Sequence, residues 1–474
     1  MRWRCTVAII RVRGSLDHFG VVDRFVLHES KFAARFLHFL TPQPFSEPRF
    51  ARLNSFHAAA GDGGRPYDST FTGSNTSMRI AYVAPYQGPD LVTRRPIVRN
   101  LSLAARVKVE VIAELLKRNS HDVEIFSQGE VVERSLKFYP AFCEPKPFCS
   151  DIPIYYASAL PVRFLNAIWS SLRTVRLFQQ RHRTAPFDAV IIYNLVRAQM
   201  SCAKRASRRL GLPVILEYED DVFVDITGQK ERGLRVRRHL SAVRSVLNLI
   251  SGGIGVSPHL LGQLPCSIPR LLLRGVVSDE IANATKPAPA SRKNWVVFSG
   301  TLFRTKGLEQ LITAWEMVAP ADWELHIAGD GELGDRLRQM AANSRGIVFH
   351  GVLNRSENAH LLCSAKIGIN PHDLSATPGN VFAFKIIEYL AAGTHVISTP
   401  MGVLEPEFER GITYMPDNEV KTIAATLKHV IESGCYERTA AQPALQTYGP
   451  DAVSKSLDKF LKEVIAEGPR TRNN

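Results

Sequence analysis

The sequence lacks the features of a membrane-spanning or metal-binding chain. No run of about 18 apolar residues is present, so no transmembrane helix is predicted. The seven cysteines are scattered and include no CxxC pair, which argues against a zinc site or a redox dithiol. Unpatterned cysteines of odd number fit a reducing compartment, so we expect a cytoplasmic protein.

Positive charge is scarce in the C-terminal third of the chain and abundant before it. Residues 294–474 hold 17 Lys and Arg against 21 Asp and Glu, whereas residues 78–293 hold 32 against 18. The basic stretch suggests a polyanionic neighbour, either a membrane surface or nucleic acid. The alternative is that the arginines only maintain solubility.

Two runs of alternating strands and helices predict an α/β protein with two Rossmann-like domains. Strands are predicted at residues 79–84, 122–127, 189–193, 213–218 and 252–256, and the alternation restarts at residue 295. Such βαβ units form parallel sheets, and two of them face each other across a cleft at their carboxyl ends. No GxGxxG fingerprint follows the first strand of either domain, which argues against a dinucleotide cofactor.

The domain boundaries are predicted from the same alternation. Residues 1–77 show no clear periodicity and are interpreted as a poorly ordered leader or a start-site extension, with folding expected to begin at Met78. Residues 78–280 form the N-terminal domain, and the Ala-, Pro- and Lys-rich residues 281–293 form a linker. Residues 294–450 form the C-terminal domain, followed by an amphipathic helix and tail at 451–474.

A turn containing a glycine and two cations follows the first strand of the C-terminal domain. Gly300 lies in the turn, and Arg304 and Lys306 precede a predicted helix. A helix N-terminus offers free N–H groups and partial positive charge, to which the cations add charge-assisted contacts. The segment predicts a phosphate site, with an ordinary solvated loop as the alternative.

A second segment leads from a loop at residues 377–380 into a helix that carries Glu388. Its neighbours Ile386 and Leu390 are apolar. A buried carboxylate needs hydrogen-bond partners, and two adjacent sugar hydroxyls would satisfy both of its oxygens. A glutamate on the exposed face of the helix is the alternative.

Four segments together resemble the donor domain of glycosyltransferase family 4 (group 1), whose members are retaining enzymes with the GT-B fold. The segments are residues 298–307, 325–333, 348–351 and 385–393. The resemblance is close over residues 295–400 and loose over residues 78–465. It implies a nucleotide-diphosphate sugar as donor, bound between two Rossmann-like domains, and no metal or other cofactor.

The resemblance also implies roles for individual donor-site residues. Glu388 would bind the ribose hydroxyls of the nucleotide, and Lys306 would neutralise the leaving diphosphate. Backbone amides of the turn that contains Val381 and Phe382 would hold donor oxygens. Lys385 resembles a lysine that a subgroup of the family carries three residues before the glutamate.

Two positions depart from the family pattern. The family usually has Arg directly after the turn glycine; this chain has Thr301, and Arg304 would supply the charge instead. The family often has Glu eight residues before Glu388, where it contacts the transferred sugar; this chain has Asn380. Asn380 would hydrogen-bond sugar hydroxyls without a charge, so the identity of the sugar stays open.

The N-terminal half resembles the family less closely. Residues 100–108 would line the cleft, and Glu219 stands where many relatives have a His facing the sugar. Glu219 and Asp220 are therefore predicted to orient an acceptor hydroxyl. In an alternative interpretation, Glu219, Asp220 and Asp221 would hold Mn²⁺ or Mg²⁺ as in metal-dependent GT-A transferases, which would leave the second βαβ domain unexplained.

These inferences predict a metal-independent, hexosyltransferase-like enzyme of the kind that builds polysaccharides. It would transfer a sugar with retention to a glycan, lipid-linked or small-molecule acceptor, and no nucleic-acid partner is expected of it. Two alternatives stay open: a nucleotide-sugar epimerase on the same fold, and a non-catalytic GT-B-like protein that binds nucleic acid or lipid.

One segment of the basic half predicts docking on an anionic membrane from the cytoplasmic side. Residues 163–183 carry apolar side chains at near-helical spacing together with five arginines. Such a helix can lie in the headgroup region, with its apolar face inward and its arginines on lipid phosphates. The alternative is that the apolar face packs on the sheet.

Overall fold

The structure is a computed structural model. It describes residues 77–95, 103–129, 131, 136–145, 151–162, 165–221, 234–318, 320–375, 383–402 and 404–470. Residues 1–76 of the predicted leader lie outside the described residues, so the start of folding at Met78 stays a prediction. None of the described helices is both long and apolar enough to span a bilayer.

A mostly parallel sheet forms the centre of the N-terminal half. Its strands in the described chain are β1 (Arg79–Val83), β2 (Asp122–Ser127), β3 (Phe142–Glu144), β4 (Ile154–Tyr156), β5 (Ala189–Tyr193), β6 (Val214–Tyr218), β7 (Gly252–Gly255) and β8 (Arg270–Leu272). The spatial order is β3-β4-β2-β1-β5-β6-β7-β8, and the pair β3 and β4 is antiparallel while the other pairs are parallel.

Helices cover both faces of this sheet. They are α1 (Pro89–Arg94), α2 (Leu103–Arg118), α3 (Asn166–Thr184), α4 (Arg197–Arg205) with a π-helical turn (Ala206–Leu210), α5 (Leu234–Leu247), α6 (Pro258–Gly262) and α7 (Asp279–Asn283). Strand β5 shows why the sheet is central: all five of its residues are buried. A strand that is apolar throughout is typical of a parallel sheet covered on both faces.

The C-terminal half repeats the architecture with a parallel sheet. Its strands in the described chain are β9 (Lys293–Ser299), β10 (Glu324–Ala328), β11 (Ile347–Gly351), β12 (Ala365–Asn370), β13 (His395–Ser398) and β14 (Ile412–Tyr414), in the order β11-β10-β9-β12-β13-β14. The helices are α8 (Leu308–Val318), α9 (Gly334–Met340), α10 (Arg355–Ser364), α11 (Lys385–Ala391), α12 (Val420–Ser433), α13 (Ala441–Tyr448) and α14 (Pro450–Glu467). The predicted α/β class with two Rossmann-like domains is confirmed.

The last helix, α14, returns to the N-terminal half. Its residues Val453, Leu457 and Phe460 belong to the same buried cluster as Ile80 and Ile125 of the first sheet. Polar contacts fix the helix against α2, where the Asn119 side-chain amide donates to the Ser454 carbonyl at 2.8 Å. Helix α14 therefore completes the core of the N-terminal half.

Helix α3 buries only some of its apolar side chains. Val175 and Phe178 pack in the core, while Leu165, Ile168 and Leu172 stay exposed. The other buried residues of α3 are small and polar: Ser170, Ser171 and Thr174. Their hydroxyls donate to carbonyls of their own helix, as Thr174 does to Ser170 at 2.8 Å, so burial leaves no hydroxyl proton unpaired.

The packing of α14 gives a test of the fold. Leu457→Ala should lower the free energy of unfolding by about 2–5 kcal/mol, because it leaves a cavity in the core of the N-terminal half. Urea unfolding followed by circular dichroism measures it. The matched control is Lys459→Ala on the exposed side of the same helix. Equal stabilities of the two variants would contradict the packing.

Candidate active site

Two glycine turns meet where β9 and β10 end. Gly300 has φ +147° and Gly329 has φ +123°, values that side-chain-bearing residues rarely adopt. The Gly300 carbonyl lies directly against the Cα of Gly329, in the space that a Cβ would need. The Gly300 amide donates to the Ala328 carbonyl at 3.0 Å. The two strand ends are therefore pressed together, and the backbone is left accessible to a ligand on the cleft side.

Helix α11 is tied to the same turn. The Tyr389 hydroxyl accepts a hydrogen bond from the Ser299 amide at 2.8 Å, at the end of β9. Ile386, Ile387 and Leu390 bury the helix in the core. The helix therefore holds its two charged residues, Lys385 and Glu388, at a fixed distance from the glycine turn.

Lys385 points into the glycine turn. Its Nζ lies 3.6 Å from the centroid of the Phe298 ring and 2.8 Å from the position of a Cβ on Gly300. That nitrogen is buried and makes no hydrogen bond to any described part of the chain. Burial and the neighbouring Lys306 lower the pKa of Lys385 well below its usual value, against the opposing effect of Glu388.

Lys306 lies near Lys385 with a histidine between the two charges. The Lys306 Nζ is 3.5 Å from Nδ1 of His372, which follows β12. Burial lowers the pKa of Lys306. Burial and the two lysines lower the pKa of His372 to about 4, so this ring is neutral at pH 7. Lys306 and Lys385 thus lie near each other, and an entering anion would stabilise the charge of both.

Glu388 is set deep in the protein, yet part of its surface stays accessible. Burial raises the pKa of this carboxyl to about 7, and Lys385 opposes the shift. No side chain of the described residues donates a hydrogen bond to its oxygens. The predicted exposed-surface alternative does not fit these surroundings. A carboxylate that is buried yet reachable is suited to receive the hydroxyls of a ligand.

The remaining predicted donor residues divide into two groups. Arg304 begins the 3₁₀ turn Arg304–Lys306, but its side chain is exposed, and the structure does not bring it into contact with the two lysines. Asn380, Val381 and Phe382 lie outside the described residues. Their assignments stay predictions.

Direct contacts join the two halves of the cleft. Arg355, at the start of α10, lies 3.5 Å from Glu110 and 3.9 Å from Glu114 on α2. A capping box formed by Asn354 and Glu357 fixes this helix start. The carboxyl ends of both sheets therefore border one cleft whose walls are held together by ion pairs.

The predicted acceptor residues follow β6 on the N-terminal side. Asn194, which has φ +57°, accepts hydrogen bonds from the amides of Glu219 at 2.8 Å and Asp220 at 3.1 Å. Its side-chain amide donates to the Asp220 carboxylate at 2.8 Å. One asparagine therefore fixes the loop that carries both predicted residues.

Behind this loop lies a second glutamate that the sequence interpretation did not single out. Glu217 is fully buried on β6 and accepts a hydrogen bond from the Tyr82 hydroxyl. Burial and the neighbouring Glu219 raise its pKa to about 8. Burial raises the pKa of Glu219 as well, and Lys108, 3.2 Å away, counteracts it. The signal in the sequence was a single charged residue within an apolar strand; Lys108 itself lies in the predicted cleft-lining segment.

The three acidic residues after β6 have separate partners. Glu219 faces Lys108, Asp220 is bonded to Asn194, and Asp221 accepts from Gln263 and contacts His259, both at 2.9 Å. In the described residues, no cluster of three or more His, Cys, Asp or Glu has the geometry of a metal site. The arrangement supports roles in hydrogen bonding for these carboxylates.

The raised pKa of Glu217 predicts a pH-dependent stability. Between the unfolded pKa of about 4.5 and the folded pKa of about 8, only the folded state holds the proton, so the free energy of unfolding falls as pH rises. Glu217→Gln removes this loss at up to about 1.4 kcal/mol per pH unit. Urea unfolding from pH 5 to 9 should show the variant gaining on the unsubstituted protein. A constant difference across that range would refute the assignment.

Part of the C-terminal half matches a known family of proteins. Residues 293–433 match the family model described as glycosyl transferases group 1. No protein of curated function matches the chain by sequence.

Solved structures share the fold over most of the chain. A glycosyltransferase from Rickettsia africae aligns with 82% of this chain and 99% of its own, at 16% identity and a TM-score of 0.58. Sucrose-phosphate synthase from Thermosynechococcus elongatus covers 82% of this chain and 100% of its own, at 15% identity and a TM-score of 0.57. HepE from Anabaena, solved with UDP and glucose, covers 81% and 99%, at 15% identity and a TM-score of 0.54.

The two comparisons confirm the predicted resemblance. The GT-B fold also means that the GT-A alternative for the acidic residues after β6 is wrong about the fold. The chain has the GT-B architecture, and its residues 293–433 are similar to the glycosyl transferases of group 1.

Proposed function

We propose that this protein is a retaining, metal-independent glycosyltransferase that uses a nucleotide-diphosphate sugar. The observation that carries the proposal is that Lys385 points into the glycine turn near Lys306, with Glu388 one helical turn beyond Lys385. This set offers positive charge for a diphosphate and a carboxylate for a diol. A nucleoside diphosphate has both groups.

The diphosphate would bind between the turn and the two lysines. Burial lowers the pKa of both lysines, and the charge of Lys306 lowers the pKa of Lys385 further. An incoming diphosphate reverses this balance, since opposite charges favour the protonated ammonium. Breaking the bond to the sugar then adds negative charge to the phosphate, and fixed cations at that point stabilise the developing charge.

Glu388 would bind the ribose of the donor. Its carboxylate needs hydrogen-bond donors in its partly buried environment, and two vicinal hydroxyls supply them. Burial raises the pKa of Glu388 to about 7, and hydrogen bonds donated by a bound diol would favour its ionised form. Predicted contacts of the sugar with Asn380 and of donor oxygens with the amides of Val381 and Phe382 complete this side of the proposal.

The acceptor would approach from the N-terminal half. Glu219 and Asp220 are fixed by Asn194 and lie at the carboxyl end of β6, where they could orient an acceptor hydroxyl. Retention would follow from attack on the face that the phosphate leaves, as the family resemblance implies. The acceptor is a glycan, a lipid-linked sugar or a small molecule of the cytoplasm, where the free cysteines of the described chain fit the reducing conditions.

The donor site gives the first test. Lys306→Ala and Glu388→Ala should each weaken binding of the best nucleotide-diphosphate sugar by about 1.5–3 kcal/mol, because each removes a charged hydrogen-bond partner. A thermal-shift screen of UDP-, GDP- and ADP-sugars selects the donor, and calorimetry measures the affinity.

The matched controls are Lys421→Ala and Glu432→Ala, which remove an exposed charge of each sign on α12. They should bind the donor like the unsubstituted protein. Unchanged affinity in both Lys306→Ala and Glu388→Ala would remove the donor-site assignment.

The reaction itself gives the second test. With a labelled donor and a panel of acceptors, transfer should continue in excess EDTA, and NMR should show the donor's anomeric configuration in the product. Activity lost in EDTA and restored by Mn²⁺ would favour a metal role for Glu219 and Asp221. Conversion of the donor without any acceptor would identify an epimerase instead.

A further inference from the structure

Three neighbouring helices of the N-terminal half present an outer face without a single acidic residue. Helix α3, helix α4 with its π-helical turn, and helix α5 contain 13 Lys and Arg and no Asp or Glu. Their inward residues, among them Phe178, Ala203 and Val246, share one buried cluster on one side of the sheet. Their outward sides therefore face solvent on the same side of the molecule. We call this surface the basic face.

Most of the charge on the basic face is free to meet a partner. Arg181 is an exception, because it pairs with Glu124 at 2.7 Å. The exposed arginines of the three helices are Arg176, Arg183, Arg197, Arg208, Arg209, Arg237, Arg238 and Arg244. So many like charges repel one another unless an anionic surface faces them.

An apolar ridge runs along α3 beside these arginines. It consists of Leu165, Ile168 and Leu172, which lie three and four residues apart on one side of the helix, with Leu172 57% exposed. The ridge continues through Trp169 to Phe138, whose ring meets the indole edge-on at 6.3 Å between centroids. Phe138 is itself exposed. Apolar side chains of this size in a row on the surface indicate a contact surface.

We propose that the basic face and the apolar ridge together dock the N-terminal half on an anionic lipid bilayer. The arginines would lie on headgroup phosphates, and the ridge would enter the boundary between headgroups and acyl chains, as in interfacial helices. Nucleic acid would match the arginines but would leave the leucine and isoleucine side chains in water. The ridge therefore decides for the bilayer.

The assignment is independent of the donor site, which lies at the carboxyl ends of the strands in the other half. Docking would place the enzyme of the proposed function at the membrane, where it would reach acceptors that are themselves anchored in the bilayer. It would also leave the C-terminal half, with its net negative charge, directed away from the anionic surface.

Co-sedimentation with vesicles tests the proposal. The full chain should bind phosphatidylglycerol-containing vesicles at least about tenfold more tightly than phosphatidylcholine vesicles, and the preference should shrink at high salt as the charges are screened. The basic variant, R176E/R208E/R209E, should lose about tenfold or more in partitioning. The ridge variant, L165S/I168S/L172S, should lose several-fold even at low salt.

Two matched controls separate the surface from general effects of charge and hydrophobicity. K421E/K428E/R345E makes the same charge change on exposed residues of the C-terminal half, and M317S/V352S removes exposed apolar side chains there. Both should bind vesicles within about twofold of the unsubstituted protein. Unchanged melting curves show that the variants fold, and unchanged donor affinity keeps this test separate from that of the proposed function.

Several outcomes would overturn the proposal. They are equal binding to neutral and anionic vesicles, no binding to either at low salt, and a loss in the charge control as large as in the basic variant. A single-stranded RNA that displaces the vesicles, combined with an unaffected ridge variant, would assign the face to nucleic acid instead.

Discussion

The charged pair on helix α11 is the constraint around which the C-terminal half is arranged. Lys385 and Glu388 lie on a helix whose other residues are buried, and burial alone shifts both pKa values toward the neutral forms. The fold tolerates this because the helix cannot move away: Tyr389 fixes it to the end of β9, and the Phe298 ring lies under the Lys385 ammonium. Burial of Lys385 and Glu388 lowers the local stability, and in the proposed function it would position both charges for a ligand. Glycine at 300 follows from the same constraint, because a side chain there would collide with Lys385.

The cleft depends on contacts that cross between the halves. Helix α14 belongs to the C-terminal end of the chain but packs in the N-terminal core, and Arg355 of α10 pairs with carboxylates of α2. These links have different physical character. The apolar packing of α14 is permanent on the scale of folding, whereas exposed ion pairs contribute little energy and break easily. Apolar packing and ion pairs thus both connect the two halves.

The sequence predicts the fold well because strands of a parallel sheet are short runs of apolar residues that stand out from their surroundings. The bounds of β2 and β5 agree with the predicted ones because both predictions rest on local patterns, such as the apolar run of β5. The resemblance singled out Lys306 and Lys385, but the sequence could not show that they lie near each other. They are 79 positions apart, and only the folded sheet brings them together. Glu217 was missed although its signal is local: it is the single charged residue of an apolar strand, all of whose residues are buried. The sequence left open which face of α3 is buried, because Val175 and Phe178 share the buried side with Ser and Thr residues whose hydroxyls bond to their own helix.

The distribution of charge fits the two proposed tasks, donor binding in the C-terminal half and membrane docking in the N-terminal half. The donor half carries more acidic than basic residues, 21 against 17 over residues 294–474, so it offers a diphosphate no long-range attraction. Attraction of a diphosphate would instead come from Lys306 and Lys385, two buried lysines beside the glycine turn. Each charge acts more strongly there than it would at the surface. The surplus of arginine lies in the other half, on the outward sides of helices that pack on the sheet. Exposed charges are screened within about 8–10 Å at physiological salt, so these arginines act on a surface that the basic face touches and not on a ligand in the other half. In the proposed function, the two lysines would select the donor, whereas the basic face would act only on the bilayer in contact with it.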